Sequence, residues 1–209
     1  MGHESTDGQA LKPIHGVCAV FEVEQKFHID DREGLIGRLN DLGWRLASTQ
    51  QHRDTYYNHP SRDFGETREA LRVRRVDGVP MVTYKGVKLP GAVKARRELE
   101  WRLDPGDIDG SNMEELLVLL GFRSVATVCK VRLSFDPPAT DTHSADLAGI
   151  VVVVDHVDEV GHFAEIEVVA ADENGVEEAR NRVETLGNTL GLHQTEPRSY
   201  LRMLLEVNG

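Results

Sequence analysis

Charged and apolar side chains alternate with period two along five stretches of this chain. Phe21–Phe27 places Glu22, Glu24 and Lys26 on one face of an extended segment with Val23 on the other. Arg72 and Arg74 share a face further on. Arg96, Glu98, Glu100 and Arg102 do the same, backed by Leu99, Trp101 and Leu103. Lys130 and Arg132 alternate with Val131 and Leu133, and Glu165 and Glu167 with Ile166 and Val168. The period predicts β-strands at each place.

Between these stretches the signals of helices and turns set the order of elements. A strand is expected over Val17–Ile29, then a helix capped by Asp30, with Leu35, Ile36, Leu39 and Leu42 as its apolar stripe and Gly43 as its stop. Strands follow near Arg45–Asn58, Glu69–Arg75 and Pro80–Lys85. The polar loop Pro60–Thr67 precedes the second of these, and Asp77-Gly78 reads as the hairpin turn between the last two. Lys88–Ala92 reads as a loop, with Lys88 and Lys94 placed to form a lid, before a strand at Lys94–Leu103. Ser111-x-x-Glu114 matches a capping box for a helix to Leu120, stopped by Gly121. Strands at Val125–Phe135, Ile150–Val157 and Phe163–Ala170 come next. Val176, Ala179, Val183, Leu186 and Leu190 mark a third helix, and Pro197 opens a last helical turn at Arg198–Leu205. Leu42-Gly-Trp-Arg and Leu120-Gly-Phe-Arg are a faint internal echo. The sum is an α+β fold, about eight mostly antiparallel strands closed into a barrel and flanked by helices.

The bland reading of each alternating strand is an apolar face on a core and a charged face in water. Solvent faces, however, are usually assorted, whereas here paired carboxylates occupy some strands and paired cations others. The alternative is an inverted barrel, with charged faces lining a cavity and apolar faces packed outward under helices. Buried charges persist only when paired or when holding an ion or ligand. The cationic set Lys26, Arg72, Arg74, Lys85, Arg96, Lys130 and Arg132 carries +7, and the anionic set Glu22, Glu24, Glu98, Glu100, Asp155, Glu165 and Glu167 carries −7. Carboxylate clusters suit Mg²⁺ or Mn²⁺, and Arg and Lys clusters suit phosphate oxygens. Two divalent ions and a triphosphate of about −4 would keep the balance.

Composition narrows the field. At 209 residues the chain fits one generous domain, with 1–16 as a polar, disordered leader and 17–209 as the folded unit. A net charge of −11 disfavours nucleic acid as a partner, while local cation clusters leave a small anionic ligand open. No apolar run approaches the ~18 residues of a membrane span. Two cysteines, Cys18 and Cys129, are too few for a four-thiolate zinc site, and a reducing cytoplasm is the expected location. A homodimer is left open. No phosphate-binding glycine loop, zinc-protease helix or nucleophile elbow is present in the sequence.

The ordered set of motifs resembles the CYTH superfamily, the triphosphate tunnel metalloenzymes. It runs from Glu22-x-Glu24-x-Lys26 through Arg53-Asp-Thr-Tyr-Tyr, Ala70-Leu-Arg-Val-Arg, Thr83-Tyr-Lys-Gly, Arg96-x-Glu-x-Glu and Lys130-x-Arg132. It continues with Val154-Asp-His-Val and Gly161-x-Phe-Ala-Glu-Ile-Glu and ends at Glu196-Pro-Arg-Ser-Tyr. The last three look most like class IV adenylyl cyclases of the CyaB type. The resemblance implies a closed eight-stranded antiparallel tunnel. Glu22, Glu24, Glu165 and Glu167 would be ligands to two Mg²⁺ or Mn²⁺ ions, helped by Asp155 and Glu100. Lys26, Arg72, Arg74, Lys85, Lys130 and Arg132 would grip a small-molecule triphosphate, with Arg96 beside them and Lys26, Lys85 and Arg132 as the catalytic set. The implied activity is cyclisation of ATP to 3′,5′-cyclic AMP and pyrophosphate. The alternatives are a triphosphatase for thiamine triphosphate, inorganic triphosphate or a nucleotide, and a non-catalytic polyphosphate-binding module.

Overall fold

A computed structural model describes residues 21–87, 94–138 and 147–209. The expected leader, the start of the first strand at Val17, and the whole loop Lys88–Ala92 lie outside these residues. Eight strands form a closed barrel, every ladder antiparallel: β1 (Phe21–His28), β2 (Arg45–Asn58), β3 (Ala70–Val76), β4 (Val79–Lys85), β5 (Lys94–Arg102), β6 (Arg123–Asp136), β7 (Ile150–Val157) and β8 (Gly161–Ala170). Around the barrel the order is β1-β5-β4-β3-β2-β6-β7-β8. Closure removes the free sheet edges.

The barrel is inverted, as the alternation suggested. Val23, Phe27, Ile166 and Val168 point outward yet are buried, because α1 (Arg32–Asp41) and α4 (Val176–Thr189) cover them. The α4 stripe Val176, Ala179, Val183 and Leu186 supplies the other half of this core. Contact is close enough that a Cβ on Gly187 would lie 3.0 Å from the Phe27 ring. Val73 packs with Leu117 of α3 (Ser111–Leu119) on the far side. At one end α5 (Tyr200–Val207) lies across the barrel, and Tyr200, Met203 and Leu204 pack on the inward-facing Tyr56, Val128, Val157 and Phe163.

Several local expectations are corrected. Asp31, not Asp30, caps α1, its carboxylate accepting from the Gly34 N–H at 2.9 Å, and Leu42 falls at the exposed C-terminal cap instead of the stripe. The polar loop contains a one-turn helix, α2 (Phe64–Thr67), capped by Asp63 and held because Phe64 is buried. Ser111 is no capping box: the N-cap is Gly110, and the Asp107 carboxylate accepts from the N–H groups of Asn112 (3.2 Å) and Met113 (2.9 Å). Glu114, freed from a capping role, accepts from Arg75 at 3.0 Å. The last helix starts at Tyr200, where the Ser199 hydroxyl accepts from the Arg202 N–H. Asp77-Gly78 does form the expected turn, both residues at positive φ. None of the described helices is long and apolar enough to cross a membrane.

Candidate active site

The inward faces enclose a cavity of about 1070 Å³, which residues of α2 and α5 also line. Twelve of the thirteen expected site residues line it: Glu22, Glu24, Lys26, Arg72, Arg74, Lys85, Arg96, Glu100, Lys130, Arg132, Glu165 and Glu167. Ladder register explains the convergence. Glu24 lies opposite Glu167 and Lys26 opposite Glu165 across β1–β8, and Glu22 lies opposite Arg96 across β1–β5. Period-two alternation then turns each pair inward together.

Cations and carboxylates pair with each other throughout the tunnel. Lys85 Nζ donates to Glu22 and lies 2.6 Å from Glu98. Arg132 donates to Asp155 through Nε (2.8 Å) and Nη2 (2.7 Å), to Glu167 at 3.0 Å and to Glu165. Lys26 Nζ donates to the Arg198 carbonyl at 2.9 Å and lies 3.6 Å from Glu165. It also sits 3.8 Å from the centre of the Tyr200 ring, with Lys130 5.0 Å away from the same ring.

The thirteenth residue has a different place. Asp155 is fully buried, and its oxygens accept from Lys130 (2.9 Å), Arg132 and the Tyr200 hydroxyl (2.9 Å). Burial opposes its ionisation, but Arg132 and Lys130 outweigh that and hold it well below the usual carboxylate range. With these donors in place it anchors the cations instead of joining the expected metal ligands. Glu100 lies at the exposed edge of the cavity and accepts from Thr83 at 2.7 Å. Glu165, also expected as a ligand, is taken up by Arg132 and Lys26.

Three carboxylates remain as a cluster: ligand oxygens of Glu22, Glu24 and Glu167 lie within 4.8 Å of one another. Burial, then Glu165 and Glu24, raise Glu167 to about 7 against the pull of Arg132. Burial likewise raises Glu22 against the pull of Lys85, whereas Glu98 is held down at about 2, burial being outweighed by Glu22 and Lys85. Crowded oxygens that resist ionisation are a donor set a hard divalent cation fits, because the cation repays both desolvation and mutual repulsion.

Two residues outside the expected set complete the site. Asp54 is buried on β2 and accepts from Arg74 at 2.7 and 2.8 Å and from Arg72 at 3.2 Å. Its signal was an acid on the same face as His52 and Tyr56, in a strand whose neighbour carries two arginines. Tyr200 stands in the terminal motif, and only the docking of α5 brings it to Asp155.

The CYTH domain family matches residues 21–200. The chain belongs to that family. Among its CYTH relatives, a protein of Methanocaldococcus jannaschii provisionally named an adenylate cyclase is 33% identical over 155 residues, 74% of this chain and 81% of that one. Adenylate cyclase CyaB of Aeromonas hydrophila is 26% identical over 187 residues, 86% of either chain. The solved structure of the PH1819 protein from Pyrococcus horikoshii superposes with a TM-score of 0.75 at 33% identity, covering 88% of this CYTH chain and 98% of its own.

Proposed function

We propose that the tunnel cyclises ATP to 3′,5′-cyclic AMP and pyrophosphate. The observation that carries this reading is the meeting, inside one cavity, of a three-carboxylate cluster with two anchored groups of cations, Arg72/Arg74 on Asp54 and Lys130/Arg132 on Asp155. The names of the two sequence relatives support the cyclase over other chemistry on a triphosphate. A cavity of about 1070 Å³ with Tyr56, Phe64, Leu71 and Leu201 in its lining supports an organic substrate.

Glu22, Glu24 and Glu167 would hold a Mg²⁺ or Mn²⁺ ion, which when bound supplies positive charge to phosphoryl oxygens and lowers the pKa of an attacking hydroxyl. The chain's own residues do the rest. Arg72, Arg74, Lys130 and Arg132 receive the β- and γ-phosphates, and their buried carboxylate anchors fix them beforehand, so little reorganisation is needed. Lys85 and Arg132 exchange a carboxylate for a phosphoryl oxygen as substrate enters. The ribose 3′-oxygen forms a bond to the α-phosphorus, the bond from that phosphorus to the β-bridging oxygen breaks, and the hydroxyl proton leaves to solvent. Pyrophosphate departs with its charge held by the arginines. Excluding water from the line of attack favours cyclisation over hydrolysis.

Incubation with ATP and Mn²⁺, followed by separation of products, tests the reading. Cyclic AMP and pyrophosphate in equal amounts are expected, with loss of both in Glu24→Gln. Orthophosphate without cyclic nucleotide would replace the cyclase with a triphosphatase in the same tunnel.

A further inference from the structure

Lys85 and Arg132 are held in the same manner at two places in the tunnel wall. Each has an anchor outside the three-carboxylate cluster and a further bond to a member of it. Lys85 lies 2.6 Å from its anchor, Glu98, and donates to Glu22 of the cluster. Arg132 is anchored on Asp155 and Glu165 and donates to Glu167 of the cluster at 3.0 Å. The two cationic side chains are only 9% and 11% exposed, so carboxylates and not water satisfy them.

These bonds set a triphosphate against the chain's own carboxylates. The donors that a phosphoryl oxygen would take from Lys85 and Arg132 are already given to Glu22 and Glu167. A metal-free anion must displace both carboxylates, which then stand without their cations beside further negative charge. A divalent cation held by Glu22, Glu24 and Glu167 reverses the balance. Its charge neutralises the carboxylates, weakens their hold on Lys85 and Arg132, and makes an anion the better partner for both. Glu98 and Asp155 lie outside the cluster, so each cation keeps its position while a donor is released.

We infer that Glu22 and Glu167 are specificity-determining residues, which occupy Lys85 and Arg132 against a metal-free triphosphate and release them when a divalent cation takes the carboxylates. The tunnel thereby selects a metal-complexed triphosphate over the free anion. The inference rests on the reading of the tunnel as a metal and triphosphate site and deepens it. Metal and anion are coupled through the chain itself, in addition to any contact between the two ligands.

Binding measured without metal isolates the chain's part, because Mn²⁺ and tripolyphosphate also associate in solution. Calorimetry with inorganic tripolyphosphate in EDTA should show Glu167→Gln and Glu22→Gln each binding about tenfold tighter than wild type, the order of one hydrogen bond to a charged group. Either variant serves if the other misfolds. Glu100→Gln is the control, since it removes the same charge from the same cavity. Glu100 accepts from Thr83 and pairs with no cation among the described residues, so this variant should bind within about threefold of wild type. Wild-type affinity in both Glu22→Gln and Glu167→Gln would overturn the inference and leave the tunnel reading intact, provided wild type binds tripolyphosphate with Mn²⁺. An equal gain in Glu100→Gln would reduce the effect to net charge and overturn the inference as well. Absence of binding by the wild type, with and without Mn²⁺, would overturn the tunnel reading itself.

Discussion

At the scale of single residues, the tunnel's carboxylates divide by their neighbours. Asp54, Asp155 and Glu165 lie among Arg and Lys partners that outweigh the cost of burial and keep them ionised. Glu167 and Glu22 share a crowded corner and are raised instead. The sign of their effect on stability follows. Their ordinary value is 4.5, and Glu167 is raised to about 7, so between these values the folded protein holds a proton that the unfolded chain has released. In the absence of divalent cations this contribution is present below pH 4.5 and is lost as pH rises toward 7. Denaturant titrations across that window should show it, and Glu167→Gln should flatten the dependence. A wild-type profile that rises from pH 5 to 7 would contradict the assignment. The asymmetry was hidden in the sequence, where Glu165 and Glu167 look equivalent. Arg132 reaches both, and only the placement of Lys26 against Glu165 and of Glu24 near Glu167 separates them.

At the scale of elements, most boundaries were legible because period two and period 3.6 alternate cleanly, with Gly43, Gly121 and Gly191 at positive φ ending three helices. The start of α3 was not. Ser111-x-x-Glu114 has the spacing of a capping box, but Arg75 on a neighbouring strand takes Glu114, and Asp107 from the preceding loop takes the free N–H groups. A tertiary ion pair and a better placed acceptor outcompete the local motif. Asp107→Ala should therefore cost about 1 kcal/mol in chemical denaturation, in line with the loss of a cap, and Ser111→Ala should be close to neutral. Equal losses from both variants would restore the capping box.

At the scale of the whole molecule, the faint echo between Leu42-Gly-Trp-Arg and Leu120-Gly-Phe-Arg becomes a two-fold relation. Exchanging β1–β4 for β5–β8 leaves the circular strand order unchanged. A Cβ on Gly43 would meet Pro138 at 3.2 Å, and one on Gly121 would meet Pro60 at 3.3 Å, so the two helix–strand corners repeat each other's packing. The halves meet at four ladders, β1–β5, β4–β5, β1–β8 and β2–β6. The carboxylate cluster spans one of them, with Glu22 and Glu24 on β1 and Glu167 on β8. Amides of β1 and β8 should therefore exchange hydrogen more slowly once Mn²⁺ and tripolyphosphate are added. Unchanged exchange in these two strands would argue against a ligand that ties the halves together.

By itself the sequence determined which side chains share a face and, through alternating charge, that these faces had to meet an ion, a ligand or each other. Strand period is a local property of the backbone, so no contact at long range was needed to read it. The register that sets Glu24 against Glu167, the burial that makes Asp54 and Asp155 anchors, and the docking of α5 that brings Tyr200 beneath Lys26 were decided only in three dimensions. Those depend on which strands become neighbours when the barrel closes, and a linear pattern carries no distance between residues a hundred positions apart.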